Sequence, residues 1–278
     1  MVTRIVQQLH VIEEKIYMSK ISKAFENGKA FIPFITCGDP NLEVTKEAVI
    51  EMEKAGADLV ELGIPFSDPT AEGPVIQEAN IRALKNTITT DHVFDMVREV
   101  RKTVKIPLVF MTYANVIFSY GADRFMKTCQ EVGIDGVILP DIPFEEKEEF
   151  DAVCEQYGVE FISMIAPTSE ERIGMIAKEA SGFMYCVSSL GVTGTRTSIT
   201  TNIKEMVAKV KEQSDIPCAV GFGISTPEHV KQALEIGAKG AIAGSACVKI
   251  VEKNLNNVPK MLEELEAYVH AMKEATRA

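Results

Sequence analysis

The sequence predicts an α/β fold, a single (β/α)8 TIM barrel with an extra N-terminal helix. Short, nearly continuous apolar runs alternate along the chain with longer segments of helical periodicity. Runs that lack a polar face are typical of strands covered on both sides, as in parallel sheets. There are eight such runs, and eight parallel strands are the number that closes a barrel.

The predicted strands recur along the whole chain. In order they are Phe31–Thr36, Asp58–Leu62, Pro107–Tyr113, Gly136–Pro140, Glu160–Ile165, Phe183–Val187, Pro217–Gly221 and Gly240–Gly244. Helical periodicity between and after them is clearest in Leu42–Lys54, Phe125–Glu131, Glu146–Tyr157, Pro227–Glu235 and Ala246–Lys253. Residues 1–28 precede the first strand and are predicted to form a helical extension rather than a signal peptide. No linker or change in composition divides the chain, so we expect one domain over residues 1–278.

The composition excludes several classes of function. The 29 Lys and Arg against 40 Asp and Glu give a formal net charge of −11, which argues against a nucleic-acid or anionic-membrane surface. No apolar run approaches the ~18–20 residues needed to span a bilayer. The six cysteines include no Cys-x-x-Cys pair, which favours reduced thiols in a cytoplasmic protein over a zinc site or a disulfide framework.

Residues at the carboxyl ends of the strands are the candidates for chemistry, because active sites of such barrels lie at that face. The longest irregular stretches, 63–74 and 189–202, also follow strands, and such loops are usually functional. The four histidines fall in helical patterns and no lysine ends a strand. The sequence therefore predicts proton transfer by carboxylates, without metal or Schiff base.

Glu61 is the strongest candidate for an acid or base. It stands inside the apolar run Leu59–Leu62, where burial would raise its pKa towards the operating pH. The alternative interpretation is a carboxylate bonded by backbone amides. Cys37 follows the first strand, but without a basic neighbour it is interpreted as a small core residue.

Glycines after the last two strands indicate a phosphate site. The seventh strand runs into Gly221-Phe222-Gly223, and the eighth runs into Gly244-Ser245 at the start of a helix. Because glycine has no side chain, its backbone N–H group can approach an anion closely, and a helix N-terminus attracts the anion. Gly194 in the loop after the sixth strand is a further candidate.

Several motifs resemble the α-subunit family of tryptophan synthase. They are ELGIPFSDPTAEGPVIQEAN (61–80), YAN (113–115), GVTGTR (191–196), GFGIS (221–225) and GSACVKIVEKN (244–254). The resemblance runs from about Phe31 to the C-terminus. It implies a barrel that cleaves indole-3-glycerol phosphate to indole and glyceraldehyde 3-phosphate, in a retro-aldol reaction that uses the protonated indole ring as electron sink.

The resemblance also implies roles for single residues. Glu61 is expected to protonate indole C3 and to take the proton of the glycerol hydroxyl, while Glu72 is expected to stabilise the indole N–H. The expected phosphate contacts are Gly194, Gly223, Gly244 and Ser245, and the expected lining of the indole and glycerol pocket is Phe34, Tyr113, Met164, Tyr185, Thr193 and Ile242. The partner implied is a β subunit in an α2β2 heterotetramer. Pyridoxal phosphate is expected in that partner and no cofactor in this chain, and the loops 63–74 and 189–202 are expected to meet the β subunit.

One residue departs from the family pattern. The family's usual second carboxylate is an aspartate, whereas this chain has Glu72, which adds about 1.5 Å of reach. Two alternatives stay open: another phosphate-binding barrel enzyme, such as a sugar-phosphate epimerase or indole-glycerol-phosphate synthase, and a catalytically weak subunit that only activates a β partner. Strand-end histidines would mark an epimerase and strand-end lysines the synthase, and the sequence has neither.

Overall fold

The computed structural model describes residues 19–26, 29–169, 171–187, 201–221 and 223–277. Its strands form one parallel sheet in the order β5-β4-β3-β2-β1-β9-β8-β7-β6. They are β1 (Ala30–Thr36), β2 (Val60–Gly63), β3 (Leu108–Met111), β4 (Gly136–Ile138), β5 (Glu160–Phe161), β6 (Met164–Ile165), β7 (Met184–Val187), β8 (Cys218–Gly221) and β9 (Gly240–Ala243). The predicted strands are confirmed, with ends that move by one or two residues and one exception.

The exception is the predicted fifth strand, Glu160–Ile165, whose residues form two short strands, β5 and β6. Its first half pairs with β4 and its second half pairs with β7. Two residues join the halves: the N–H of Ile162 still bonds the Val137 carbonyl at 2.9 Å, and the carbonyl of Ser163 already accepts from Tyr185 at 3.0 Å. The chain thus changes neighbours within one strand's length, and this link closes the sheet into a barrel.

Most of the helices cover the outside of the barrel. They are α1 (Lys20–Ala24), α2 (Leu42–Lys54), α3 (Pro74–Lys85), α4 (Thr90–Val100), α5 (Ala114–Tyr120), α6 (Ala122–Val132), α7 (Glu148–Tyr157), α8 (Ile173–Glu179), α9 (Thr201–Gln213), α10 (Pro227–Glu235), α11 (Ser245–Lys253) and α12 (Val258–Ala275). Short 3-10 turns occupy Phe144–Glu146 and Pro167–Ser169. No helix in the described ranges is both long enough and apolar enough to cross a membrane.

The apolar core has two main parts. One fills the barrel and includes Ile32, Leu59, Val109 and Ile242, and the other lies between the strands and the surrounding helices. Helix α1, the described part of the predicted extension 1–28, contributes Ile21 to the interior cluster. Residues 1–18 and 27–28 of that extension lie outside the described residues.

Candidate active site

Glu61 points into the barrel from β2. Side chains alternate along a strand, so Glu61 shares the inner face with Leu59, while Val60 and Leu62 face the helices. It lies opposite Phe34 of β1 in the strand register. The side chain is only 1% exposed, and within the described part of the chain its Oε1 atom has no hydrogen-bond partner.

This environment changes the acidity of Glu61. Burial raises the pKa of the carboxyl from 4.5 to about 8, because removal from water penalises the charged form. The charge of Glu61 in turn helps to raise the pKa of Tyr185, which is otherwise raised mainly by burial, so the two groups are close. A carboxyl that holds its proton near neutrality can act as a general acid and, once ionised, as a base.

Glu72 lies at the end of the loop that follows β2, next to the start of α3. Its Oε2 atom accepts a 2.6 Å hydrogen bond from Asn80 Nδ2, and Tyr113 bonds the same carboxylate. The Tyr113 hydroxyl also accepts the N–H of Ala71 at 3.3 Å. Burial raises the pKa of Glu72, while the bonds from Asn80 and Tyr113 oppose that rise. The carboxylate is therefore buried but supplied with donors.

The loops after β8 and β9 form the other side of the site. Gly223 has φ +87°, a left-handed conformation that glycine adopts without strain. Gly244 is the N-cap of α11 and provides no side-chain cap, so the first N–H groups of that helix are left for another acceptor. Ser245 is the first residue of the helix. Such an N-terminus attracts anions.

The two sides enclose one cavity of about 650 Å³, counted out to its mouth. Nine of the predicted site residues line it: Phe34, Glu61, Glu72, Met164, Tyr185, Gly223, Ile242, Gly244 and Ser245. Tyr113 reaches the site through Glu72 and Ala71. Thr193 and Gly194 lie outside the described residues, as does most of the loop 189–202. The described lining contains no lysine or histidine.

Other strand-end candidates have structural roles. Cys37 is fully buried, and burial raises its pKa, as its interpretation as a core residue predicts. Asp141 accepts the N–H of Ala114 and so satisfies the start of α5. Asp39 forms a two-pronged ion pair with Arg82, with both N–O distances 2.8 Å. All six cysteines are buried and free.

Sequence reasoning missed two residues beside the site. Asn80 donates a hydrogen bond to Glu72. The feature of the sequence that could have indicated this role is a polar amide on the same helix face as Ile76 and Ala83, which are apolar and buried. His229 lies in a helix, as predicted, but its Nδ1 atom is 3.3 Å from both the N–H and the hydroxyl oxygen of Ser225, which lines the pocket. No short-range pattern marked this second contact.

The fold and the site together define a barrel enzyme whose pocket is lined by two buried carboxylates and by the N-terminus of α11, where the N-cap residue provides no side-chain acceptor. A sequence profile of the tryptophan synthase alpha chain family matches residues 21–277. The chain belongs to this family, and thus to the lyases of tryptophan biosynthesis.

Individual relatives agree with this assignment. The tryptophan synthase alpha chain of Lacticaseibacillus casei is 45% identical over 260 residues, covering 94% of this chain and 97% of the relative. The crystal structure of the alpha chain from Legionella pneumophila superposes with a TM-score of 0.83 at 38% identity, covering 94% of this chain and 98% of the other. A structure of the α2β2 tryptophan synthase complex from Pyrococcus furiosus matches with a TM-score of 0.81 at 35% identity, covering 88% and 98%.

Proposed function

We propose that this chain cleaves indole-3-glycerol phosphate to indole and glyceraldehyde 3-phosphate, with Glu61 as the acid and base. The observation that carries the proposal is the carboxyl of Glu61, which is buried at the pocket wall. One of its oxygens has no hydrogen-bond partner among the residues that the structure describes, and its pKa is raised to about 8. Near neutral pH this group holds a proton that it can give to a bound substrate.

Glu61 gives and regains one proton in the proposed reaction. Its carboxyl protonates C3 of the indole ring, which places positive charge on the ring nitrogen. The resulting carboxylate then takes the proton of the glycerol hydroxyl next to C3. As that oxygen becomes a carbonyl, the carbon–carbon bond breaks, and its electrons return to the ring to neutralise the nitrogen. No metal or second acid is required for the balance.

Glu72 is proposed to accept the indole N–H. A carboxylate placed at that atom stabilises the charge that develops there in the transition state. Bonds from Asn80 and Tyr113 favour its ionised form and leave acceptor sites free, since a carboxylate has about four. The apolar residues Phe34, Met164 and Ile242 line the same cavity and suit an aromatic ring.

The phosphate is proposed to bind at Gly223, Gly244 and Ser245. The N-terminus of α11 supports this assignment, since its N-cap residue Gly244 provides no side-chain acceptor for the first backbone N–H groups and the helix dipole favours an anion there. Thr193 and Gly194 are proposed to complete the pocket from the loop after β7.

The partner and its cofactor are also carried over as proposals. The Pyrococcus furiosus relative forms an α2β2 complex with a β subunit, and we propose the same assembly for this chain. Pyridoxal phosphate is then expected in the β subunit, and the loops 63–74 and 189–202 are expected to face it. Residues 1–278 are proposed to work as one domain in the cytoplasm.

Release of indole from indole-3-glycerol phosphate tests the proposed activity. The purified chain should produce indole, alone or with a tryptophan synthase β subunit, and Glu61→Gln should lose nearly all turnover while it still binds the substrate. Absence of indole in both assays would reject the lyase. Substantial turnover by the variant would mean that Glu61 is misassigned.

A further inference from the structure

Helix α3 carries a polar side chain on its buried face. Asn80 is 4% exposed, and the other buried residues of the helix are Ile76, Ala79 and Ala83. Asparagine is a poor helix former, and a buried amide must be hydrogen-bonded to offset its loss of water. An apolar residue would pack on this face without such a cost, so we expect an interaction that requires the amide of Asn80.

The amide is used to hold Glu72. Asn80 Nδ2 donates to Glu72 Oε2 at 2.6 Å, between two side chains that are both nearly buried. Gln77, one turn earlier on the same helix, donates to the backbone carbonyl of Glu72 at 2.8 Å. Helix α3 therefore fixes both the backbone and the carboxylate of this residue.

The hydrogen bond from Asn80 also affects whether Glu72 is ionised. Desolvation raises the pKa of Glu72, whereas the bonds from Asn80 and Tyr113 lower it. A donor to a carboxylate stabilises the ionised form, which is the form that accepts an N–H bond. Without Asn80, the carboxylate would lose its 2.6 Å hydrogen bond to the helix, and Tyr113 alone would remain of the two side chains that bond it.

We propose that Asn80 is a positioning residue, whose amide holds the Glu72 carboxylate in the orientation and the ionised form that accept the indole N–H. This proposal rests on the proposed function. It also explains how a glutamate serves where the family usually has an aspartate: the longer side chain is tied at its end to a rigid helix.

Asn80→Asp tests the charge argument. The new carboxyl would lie within hydrogen-bond distance of Glu72, and two such groups cannot both ionise freely. When the pair shares one proton, the acid donates as the amide does. When both groups are ionised, the donor is lost and the charges repel. The alkaline fall of kcat/KM should therefore begin at lower pH in the variant than in the wild type.

Asn80→Leu tests the orientation argument. Leucine has the same branched arrangement of side-chain heavy atoms but no donor, so we expect kcat to fall about 10- to 100-fold, the range associated with loss of a hydrogen bond to a charged group. KM should change much less, because the residues proposed to bind the phosphate, Gly223, Gly244 and Ser245, do not include Asn80 or Glu72. Asn257→Asp is the matched control for Asn80→Asp. It makes the same change of charge at the N-cap of α12, where aspartate keeps the bond to the Lys260 N–H. Its rate and pH profile should equal those of the wild type.

The outcomes distinguish failure of the proposed role of Asn80 from failure of the proposed lyase activity. If Asn80→Asp has the wild-type pH profile or is inactive at every pH, or if Asn80→Leu keeps the wild-type kcat, Asn80 has no positioning role although the lyase stands. If Asn80→Leu does not fold, the profile of Asn80→Asp decides alone. If the wild type releases no indole, or Glu61→Gln retains turnover, the proposed function itself is rejected.

Discussion

Glu61→Gln should change how the stability of the protein depends on pH. Burial raises the pKa of Glu61 from 4.5 to about 8 in the folded protein. Between these values the folded state keeps a proton that the unfolded state has lost. Because the folded state then binds more protons, the free energy of unfolding falls as pH rises through this window. Glutamine does not titrate, so the variant should lack this part of the dependence.

The size of the effect follows from the same pKa. One pKa unit corresponds to about 1.4 kcal/mol, so a rise from 4.5 to about 8 makes the ionised carboxylate on the order of 5 kcal/mol unfavourable in the folded state. Domains unfold with about 5–15 kcal/mol in total. Urea unfolding at about pH 5 and about pH 9 should therefore show a variant that gains several kcal/mol over the wild type at the higher pH.

A control separates this titration from general effects of pH. Glu78→Gln removes an exposed carboxylate from α3, and its stability should run parallel to that of the wild type at both pH values. A stability difference between Glu61→Gln and the wild type that is the same at both pH values would refute the reasoning. It would mean that the carboxyl of Glu61 is not held in its neutral form by burial.

Three further substitutions test other parts of the site. Gly221→Ala should raise KM and lower the free energy of unfolding by about 1–3 kcal/mol, because a Cβ at this position overlaps the ring of Tyr185 on β7. Steady-state kinetics measure the first effect and urea unfolding the second. His229→Leu should raise KM roughly fivefold with little change in kcat, because the Ser225 N–H loses its acceptor, whereas His229→Gln should keep it. Asp39→Asn should lower the free energy of unfolding by about 1–3 kcal/mol without loss of turnover, because the Arg82 guanidinium loses the nearer of its two charged partners and keeps Glu252 at 3.5 Å.

The positions of the strands along the chain could be predicted because strands buried on both faces leave continuous apolar runs. The same logic marked Glu61, since a charge inside such a run is conspicuous. The split between β5 and β6 could not be predicted, because it depends on which neighbours each half meets when the barrel closes. These neighbours are β4 and β7, which lie outside the segment Glu160–Ile165 itself.

The supporting residues of the site were harder to predict than the pocket lining. Asn80 bonds a residue eight positions away across a loop and a helix start, so its role appears only when the loop conformation is known. His229 was correctly placed in a helix, but helix α10 begins immediately behind the pocket and brings its first turn to Ser225. Periodicity predicts the element that holds a side chain but not the loop residue that the side chain meets.

The different surroundings of the two glutamates in the pocket support the opposite roles that we propose for them. Glu61 is desolvated and its Oε1 lacks a donor among the described residues, so the neutral acid is favoured and its pKa rises to about 8. Glu72 is also desolvated, but Asn80 and Tyr113 donate to it and favour the carboxylate. Paired carboxyl groups with such divergent environments separate into a proton donor and a charged acceptor. Loss of the donors to Glu72 would bring the two groups closer in acidity, and the division between acid and acceptor would weaken. We therefore propose that the residues that bond Glu72 contribute to the acid–base chemistry of the site as much as Glu61 does.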